Sequence, residues 1–120
     1  MDSTAVVVTG ASTGIGRATA LHLDSLGLHV FAGVRRDKDG AELRRQSSGL
    51  LTPIRLDVTK PDEVAAAASV VGDAVRDGRL LGIVNNAGIA VAGPVEFIPL
   101  EQWRRQLEIN VLGVVATVQA

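Results

Sequence analysis

Short apolar runs alternate along this 120-residue chain with longer stretches of helical period. Ala5 to Val8 are apolar without interruption, as a strand covered on both faces must be, and predict a first strand over residues 5–9. Apolar positions then recur at helical spacing and predict a helix over 14–26. Gly27 stands just past the last periodic residue, where a left-handed residue closes a helix. Residues 28–34, rich in β-branched and aromatic side chains, predict a second strand, and 39–46 a short charged helix that ends before Ser47-Ser48-Gly49. Residues 51–56 predict a third strand. Pro53 near its start places it at a sheet edge, because proline has no N–H for a ladder. Thr59 is the expected cap of a third helix, with Pro61, Asp62 and Glu63 in its first turn. That helix runs through the alanine block to about Arg76 and stops at Asp77-Gly78. Residues 80–84 predict a fourth strand, 85–99 a long loop rich in Gly and Pro, and 100–108 a helix with Trp103 and Leu107 one turn apart. A further apolar helical stretch covers 109–120.

The β-α-β-α-β-α-β sequence of elements predicts an α/β fold, a single Rossmann-like domain over 1–120 built on a doubly wound parallel sheet. The expected strand order is 3-2-1-4, with ligands at the C-terminal edge, where the order reverses between the first and fourth strands. Composition agrees: 47% of residues are hydrophobic and only 2% aromatic, namely Phe31, Phe97 and Trp103. Such a Val- and Ala-rich, aromatic-poor chain suits buried parallel strands covered by helices. A formal net charge of −1 gives no electrostatic case for nucleic acid or an anionic membrane. The absence of cysteine excludes disulfides and thiolate metal sites, and no metal site is expected. Only Met1 to Thr4 precede the first strand, so no leader is expected, no apolar run reaches the ~20 residues of a membrane span, and a cytoplasmic protein follows. His22 and His29 read as surface residues, and Phe97 and Trp103 as helix-packing anchors.

The chemistry concentrates in Thr9-Gly10-Ala11-Ser12-Thr13-Gly14-Ile15-Gly16, between the first strand and the first helix. Glycines let backbone approach an anion, and the free N–H groups of a first helical turn point at it. The same residues match G-x-S-x-G, a nucleophile elbow with Ser12 as nucleophile. That reading needs an acid and then a histidine later in the chain. His22 and His29 lie close behind the loop and none follows, which removes it.

With its G-x-x-x-G-x-G spacing, the loop resembles the cofactor loop of the short-chain dehydrogenase/reductase family. Leu56-Asp57-Val58 resembles the family element whose aspartate bonds adenine, and Asn85-Asn86-Ala87-Gly88 its N-N-A-G motif. Asn110, within Ile109-Asn110-Val111, aligns with its catalytic asparagine. The resemblance covers essentially the whole chain. It implies a nicotinamide dinucleotide partner held by Gly10, Ser12, Thr13, Gly14, Ile15, Gly16, Asp57, Val58, Asn86, Ala87 and Gly88, and the reversible oxidation of a secondary alcohol to a ketone. The family's NAD-selecting acid would fall 18 residues beyond Gly16, where this chain has Val34. Arg35 and Arg36 follow, and arginine suits the 2′-phosphate of NADP. NADP is therefore the preferred cofactor, NAD the second, and Arg35 the better of the two arginines, although Asp37 and Asp39 compete for both.

The family's chemistry also uses a serine and a Tyr-x-x-x-Lys pair, and this chain has no tyrosine. The resemblance is thus to the family's first, cofactor-binding half, ending before a fifth strand. An inactive fragment, or a noncatalytic dinucleotide-binding or interaction module, is the alternative to an oxidoreductase. Leaving the fourth strand as an edge uncovers Leu80, Ile83 and Val84, and with them Val111, Leu112, Val114, Val115 and Val118. At ~25 cal/mol per Å², a few hundred Å² exposed costs several kcal/mol, against ~5–15 kcal/mol for a whole domain. The 120-residue chain is therefore predicted to melt at low denaturant and to self-associate through the fourth strand or the terminal helix. Sedimentation velocity across a concentration series checks this, and a monodisperse monomer at every concentration would refute it.

Overall fold

A computed structural model describes residues 4–76 and 78–120. Strand β1 (Thr4–Val8) is followed by helix α1 (Gly14–Ser25), β2 (His29–Val34), α2 (Asp37–Gln46), β3 (Leu51–Arg55), α3 (Pro61–Ala74) and β4 (Arg79–Val84). A 3-10 turn (Val95–Phe97), helix α4 (Leu100–Leu107), a π-helical segment (Glu108–Leu112) and α5 (Gly113–Gln119) complete it. The four strands form one parallel sheet in the order β3-β2-β1-β4, as expected. The expectation of no leader rests partly on Met1–Ser3 and the stop of the third helix partly on Asp77, all outside the described residues.

Strand period divides the core. Ala5 and Val7 of β1 face one side with Phe31, Ile54 and the α3 residues Val64, Ala67 and Val71. Val6 and Val8 face the other with Val30, Ala32, Ala20 of α1 and Leu43 of α2. The two central strands, β1 and β2, are thus apolar on both faces because both are covered, the signature that marked them in the sequence. Close packing fixes some glycines: a Cβ on Gly40 of α2 would lie 2.8 Å from Pro53 Cβ of β3.

Helix α1 closes as expected. Gly27 has φ +86°, its N–H donates to Asp24 O (3.0 Å), and Leu28 N–H donates to Leu23 O (3.3 Å). These two bonds define a Schellman closure. Buried Asp24 of the same helix accepts from Ser48 N (2.7 Å) and Ser48 Oγ (3.0 Å), which ties the α2–β3 turn to α1.

Several local expectations are corrected. Helix α2 begins at Asp37, two residues early, so both Asp37 and Asp39 lie in its first turn. Thr59 does not cap α3: Lys60 holds that position without a side-chain bond, and the Thr59 hydroxyl donates instead to Asp57 Oδ1 (2.6 Å). The long loop contains the 3-10 turn, and the final two helical stretches are one rod joined by the π segment. His29 is half-buried rather than a surface residue. Its Nε2 lies 2.8 Å from Thr52 Oγ1, and its ring centroid 4.2 Å from that of Phe31. Phe97 is 76% exposed and anchors nothing, whereas Trp103 is half-buried.

Among the described residues β4 pairs on one side only, with β1. Their register shifts between Ala5↔Leu80 and Val6↔Gly82, which leaves Leu81 as an extra, exposed residue on the edge. Leu112, Val115 and Val118 of the terminal rod are also exposed. The radius of gyration, 15.1 Å, exceeds the about 13–14 Å of a compact chain of this length, because the rod adds little to the core.

Two glycine replacements test the packing. Gly40→Ala is expected to cost about 1–3 kcal/mol as α2 is pushed from β3. Gly72→Ala, where an added Cβ meets nothing within 4 Å on α3, is expected to stabilise by about 0.5–1 kcal/mol. Urea denaturation of both variants measures the difference.

Candidate functional site

The buried Thr9 joins the two connections at the C-terminal edge of the sheet. Its N–H donates to Val84 O (3.0 Å), and its Oγ1 accepts from Asn86 N (3.0 Å) and Ala87 N (2.9 Å). Asn86 returns the bond: its Nδ2 donates to Gly10 O (3.0 Å) and Thr9 O (3.3 Å). Ala11 N–H donates to Gly33 O of β2 (2.9 Å), which holds the loop from its other side. Gly10 has φ +62°, and a Cβ there would lie 2.8 Å from Ala87 Cα. A Cβ on Gly16 would run into Gly10 O and Asn86 Nδ2. These two glycines therefore let three chain segments meet. Gly14 differs, with φ +58° and open space where its Cβ would be.

Helix α1 begins at Gly14 with Thr13 at the N-cap, no side-chain cap bond and no acid in its first turn. Helices α2 and α3 each carry two acids there, Asp37 with Asp39 and Asp62 with Glu63. Of these three helix starts only α1 offers uncompensated N–H groups to an anion.

Gly10, Ser12, Thr13, Arg35, Asp57, Val58, Asn86, Ala87 and Gly88 line one cleft of about 500 Å³, within the ~300–1,000 Å³ range of ligand sites. An adjoining cleft of about 510 Å³ shares Ser12, Thr13, Arg35 and Asp57 and adds Arg36, Asp39, Lys60 and Glu63. Gly14, Ile15 and Gly16 line neither: Gly16 is buried beneath the loop, and Ile15 is 79% exposed on α1. The long trough, the open Gly14 backbone and the uncapped α1 start fit an extended anion such as a dinucleotide.

Asn110 also lies outside the cleft lining. Its Oδ1 accepts from Ile89 N (2.8 Å) and its Nδ2 donates to Ile89 O (2.7 Å), so both ends of the amide clasp one residue of the loop after β4. One turn earlier Gln106 Oε1 accepts from Val91 N (3.2 Å), while Gln106 Nε2 is buried without a partner among the described residues. Arg105, Glu108 and Ile109 of the same rod reach the cleft wall.

Asp57 carries the site's one shifted acid. Burial raises its pKa, but the Thr59 hydroxyl and N–H, with the charges of Lys60 and Arg35, outweigh that and hold it below the ordinary 3.8. It stays a carboxylate acceptor throughout the neutral range.

Sequence reasoning missed Gly33, Gln106, Arg105 and Glu108. A glycine inside a β-branched strand is a signal of close backbone approach and marks Gly33. Nothing local marks the other three, because the path of the 85–99 loop brings them in.

Comparison with known proteins places this geometry. The sequence pattern of the short chain dehydrogenase family matches residues 4–120. The chain is 41% identical over 126 residues to estradiol 17-beta-dehydrogenase 2 of Mus musculus, covering 100% of this chain and 32% of that protein. It is 42% identical over 111 residues to retinol dehydrogenase 16 of Homo sapiens, covering 92% of this chain and 35% of that one. The chain thus spans about a third of the length of the curated relatives it matches. A crystal structure of NADPH-bound carbonyl reductase from chicken fatty liver superposes with a TM-score of 0.88 at 32% identity, over 99% of this chain and 50% of that one.

Two variants probe the site. Thr9→Val keeps the shape of the residue but leaves Asn86 and Ala87 N–H without their acceptor, an expected loss of about 1–3 kcal/mol for each group, with Thr9→Ser near neutral; urea denaturation reads both. Because the folded-state pKa of Asp57 is lowered, its contribution to stability is complete above about pH 4 and is lost as pH falls through the folded value. Thr59→Val removes the hydroxyl donor and is expected to move the Asp57 titration, followed by carboxyl-carbon NMR, upward.

Proposed function

The chain belongs to the short chain dehydrogenase family, and on that premise we propose that it is the cofactor-binding part of an NADP(H)-dependent oxidoreductase acting on an alcohol–carbonyl pair. The observation that carries this reading is convergence. Four segments far apart in sequence, within 10–13, 33–35, 56–59 and 86–89, meet along one trough beside a helix start that has no acid of its own. When bound, the nicotinamide dinucleotide gives or takes the hydride. The chain's residues do the holding. The first turn of α1, with Ser12 and Thr13, takes the pyrophosphate, and Asp57 accepts from the exocyclic amine of adenine. The backbone of Asn86 to Gly88 would lie against a cofactor ribose, and Asn110 fixes the adjoining backbone of Ile89.

The preference for NADP rests on the end of β2. Val34 stands where the family's NAD-selecting acid would meet the ribose, so that position itself carries no charge against a 2′-phosphate. Exposed Arg35 lines both clefts and makes no ion pair among the described residues. The NADPH in the carbonyl reductase structure supports the same preference. Estradiol and retinol, in the names of the relatives, are both alcohols and support the reaction class.

A second reading, a binding module without turnover, is favoured by the lack of any tyrosine in these 120 residues. Calorimetric titration separates binding from its absence. NADPH is expected to bind the wild-type chain more tightly than NADH, and Arg35→Ala to weaken NADPH about tenfold, the worth of one charge-assisted hydrogen bond, with NADH nearly unchanged. No heat with either nucleotide overturns both readings. Hydride transfer to any carbonyl compound, followed as loss of NADPH absorbance, overturns the second.

A further inference from the structure

The charges around the second cleft sort into pairs. Three cations line it, Arg35, Arg36 and Lys60, and three carboxylates, Asp39, Asp57 and Glu63. Arg36 Nε donates to Asp39 Oδ2 at 3.0 Å. Lys60 Nζ lies 3.6 Å from Glu63 Oε2, and Arg55 and Glu63 approach to 4.0 Å. Asp37 turns outward to Arg55 (3.5 Å), so it competes for neither cleft arginine. Asp57 Oδ1 accepts from Thr59 N and Oγ1, and Asp57 forms no ion pair among the described residues. Arg35 is the remainder.

The Arg36–Asp39 pair is built into the start of α2. Arg36 is the N-cap and Asp39 lies in the first turn, with Asp39 N–H donating to Arg36 O at 3.1 Å. A carboxylate in that turn is favoured by the helix dipole, which holds it in place without the arginine. The Asp39 side chain is 22% exposed against 65% for Arg36, so the acid is the fixed member and the arginine the one drawn to it.

We infer that Asp39 is a specificity-determining residue: it holds Arg36 back from the ribose end of the cleft and so limits discrimination between a nucleotide with a 2′-phosphate and one without. This rests on the dinucleotide reading of the trough. A 2′-phosphate entering the wild-type cleft meets one unpaired guanidinium and, across it, the Asp39 carboxylate. With that charge removed it meets two guanidinium groups, and two such forks suit the three oxygens of a phosphate. NADH has no such group and is indifferent to the change.

The test is a calorimetric cycle on the 120-residue chain with NADPH and NADH. Asp39→Asn is expected to tighten NADPH about tenfold while NADH stays within about twofold. In the Asp39→Asn background, Arg36→Ala is expected to erase the gain. Asp73→Asn, which removes the same charge beside Arg76 on the far helix, is expected to change neither. An unchanged NADPH/NADH ratio in Asp39→Asn overturns the inference. So does a gain that survives Arg36→Ala in the Asp39→Asn background; Asp39→Ser removes the same charge and decides the matter if Asp39→Asn does not fold. If wild type binds NADPH and Arg35→Ala weakens it, the dinucleotide reading stands whichever way Asp39 falls. If wild type binds neither nucleotide, both fall together.

Discussion

Thr9 and Asn86 exchange hydrogen bonds across the end of the sheet, and every other feature of the cleft presupposes that exchange. The groups involved are backbone N–H and C=O at the ends of two adjacent parallel strands, where the ladder has run out and water is partly excluded. Left unpaired, each would cost about 1–3 kcal/mol. The side chains of Thr9 and Asn86 supply the missing partners, and the absence of a Cβ at Gly10 and Gly16 lets the segments come close enough to use them. A helix start free of acid then sits above a floor that is already satisfied, so its own N–H groups are what remains to bind a ligand.

The electrostatics follow a similar division. Carboxylates near the trough are assigned to particular partners by the turns that carry them: Asp57 to Thr59, Glu63 to Lys60, Asp39 to Arg36. These pairs are largely exposed, and exposed pairs contribute ~0–1 kcal/mol each. Their effect lies in which charges are left available. A cleft with three positive and three negative groups is neutral on average and selective only through the one that has no partner.

The sheet was legible because its cause is local. Uninterrupted apolar strands, a glycine closing α1 and Pro53 at an edge are consequences of backbone geometry that any chain must obey. The loop glycines were legible for the same reason. What stayed hidden depends on distance. Thr59 reads as a cap from its neighbours alone, yet it turns to Asp57 because a carboxylate two residues back is the stronger acceptor. Phe97 reads as an anchor from its type, and nothing within the described residues covers it. Gln106 and Arg105 join the site only after the loop from β4 has been laid against the rod. The sorting of Asp37 and Asp39 between two arginines needed side-chain directions that spacing does not contain.

The π segment carries one consequence for that rod. Positions 106, 110, 113 and 117 are spaced so that an unbroken α-helix would line them up in a single stripe. Gln106 and Asn110 serve Val91 and Ile89, while Gly113 packs on Val58 and Thr117 lies among the side chains of α3. A wider turn at Glu108–Leu112 changes the helical phase between the two pairs by up to the ~100° that one residue occupies. One length of helix is thereby pointed in two directions, toward the loop that borders the cleft and toward Val58 and the side chains of α3.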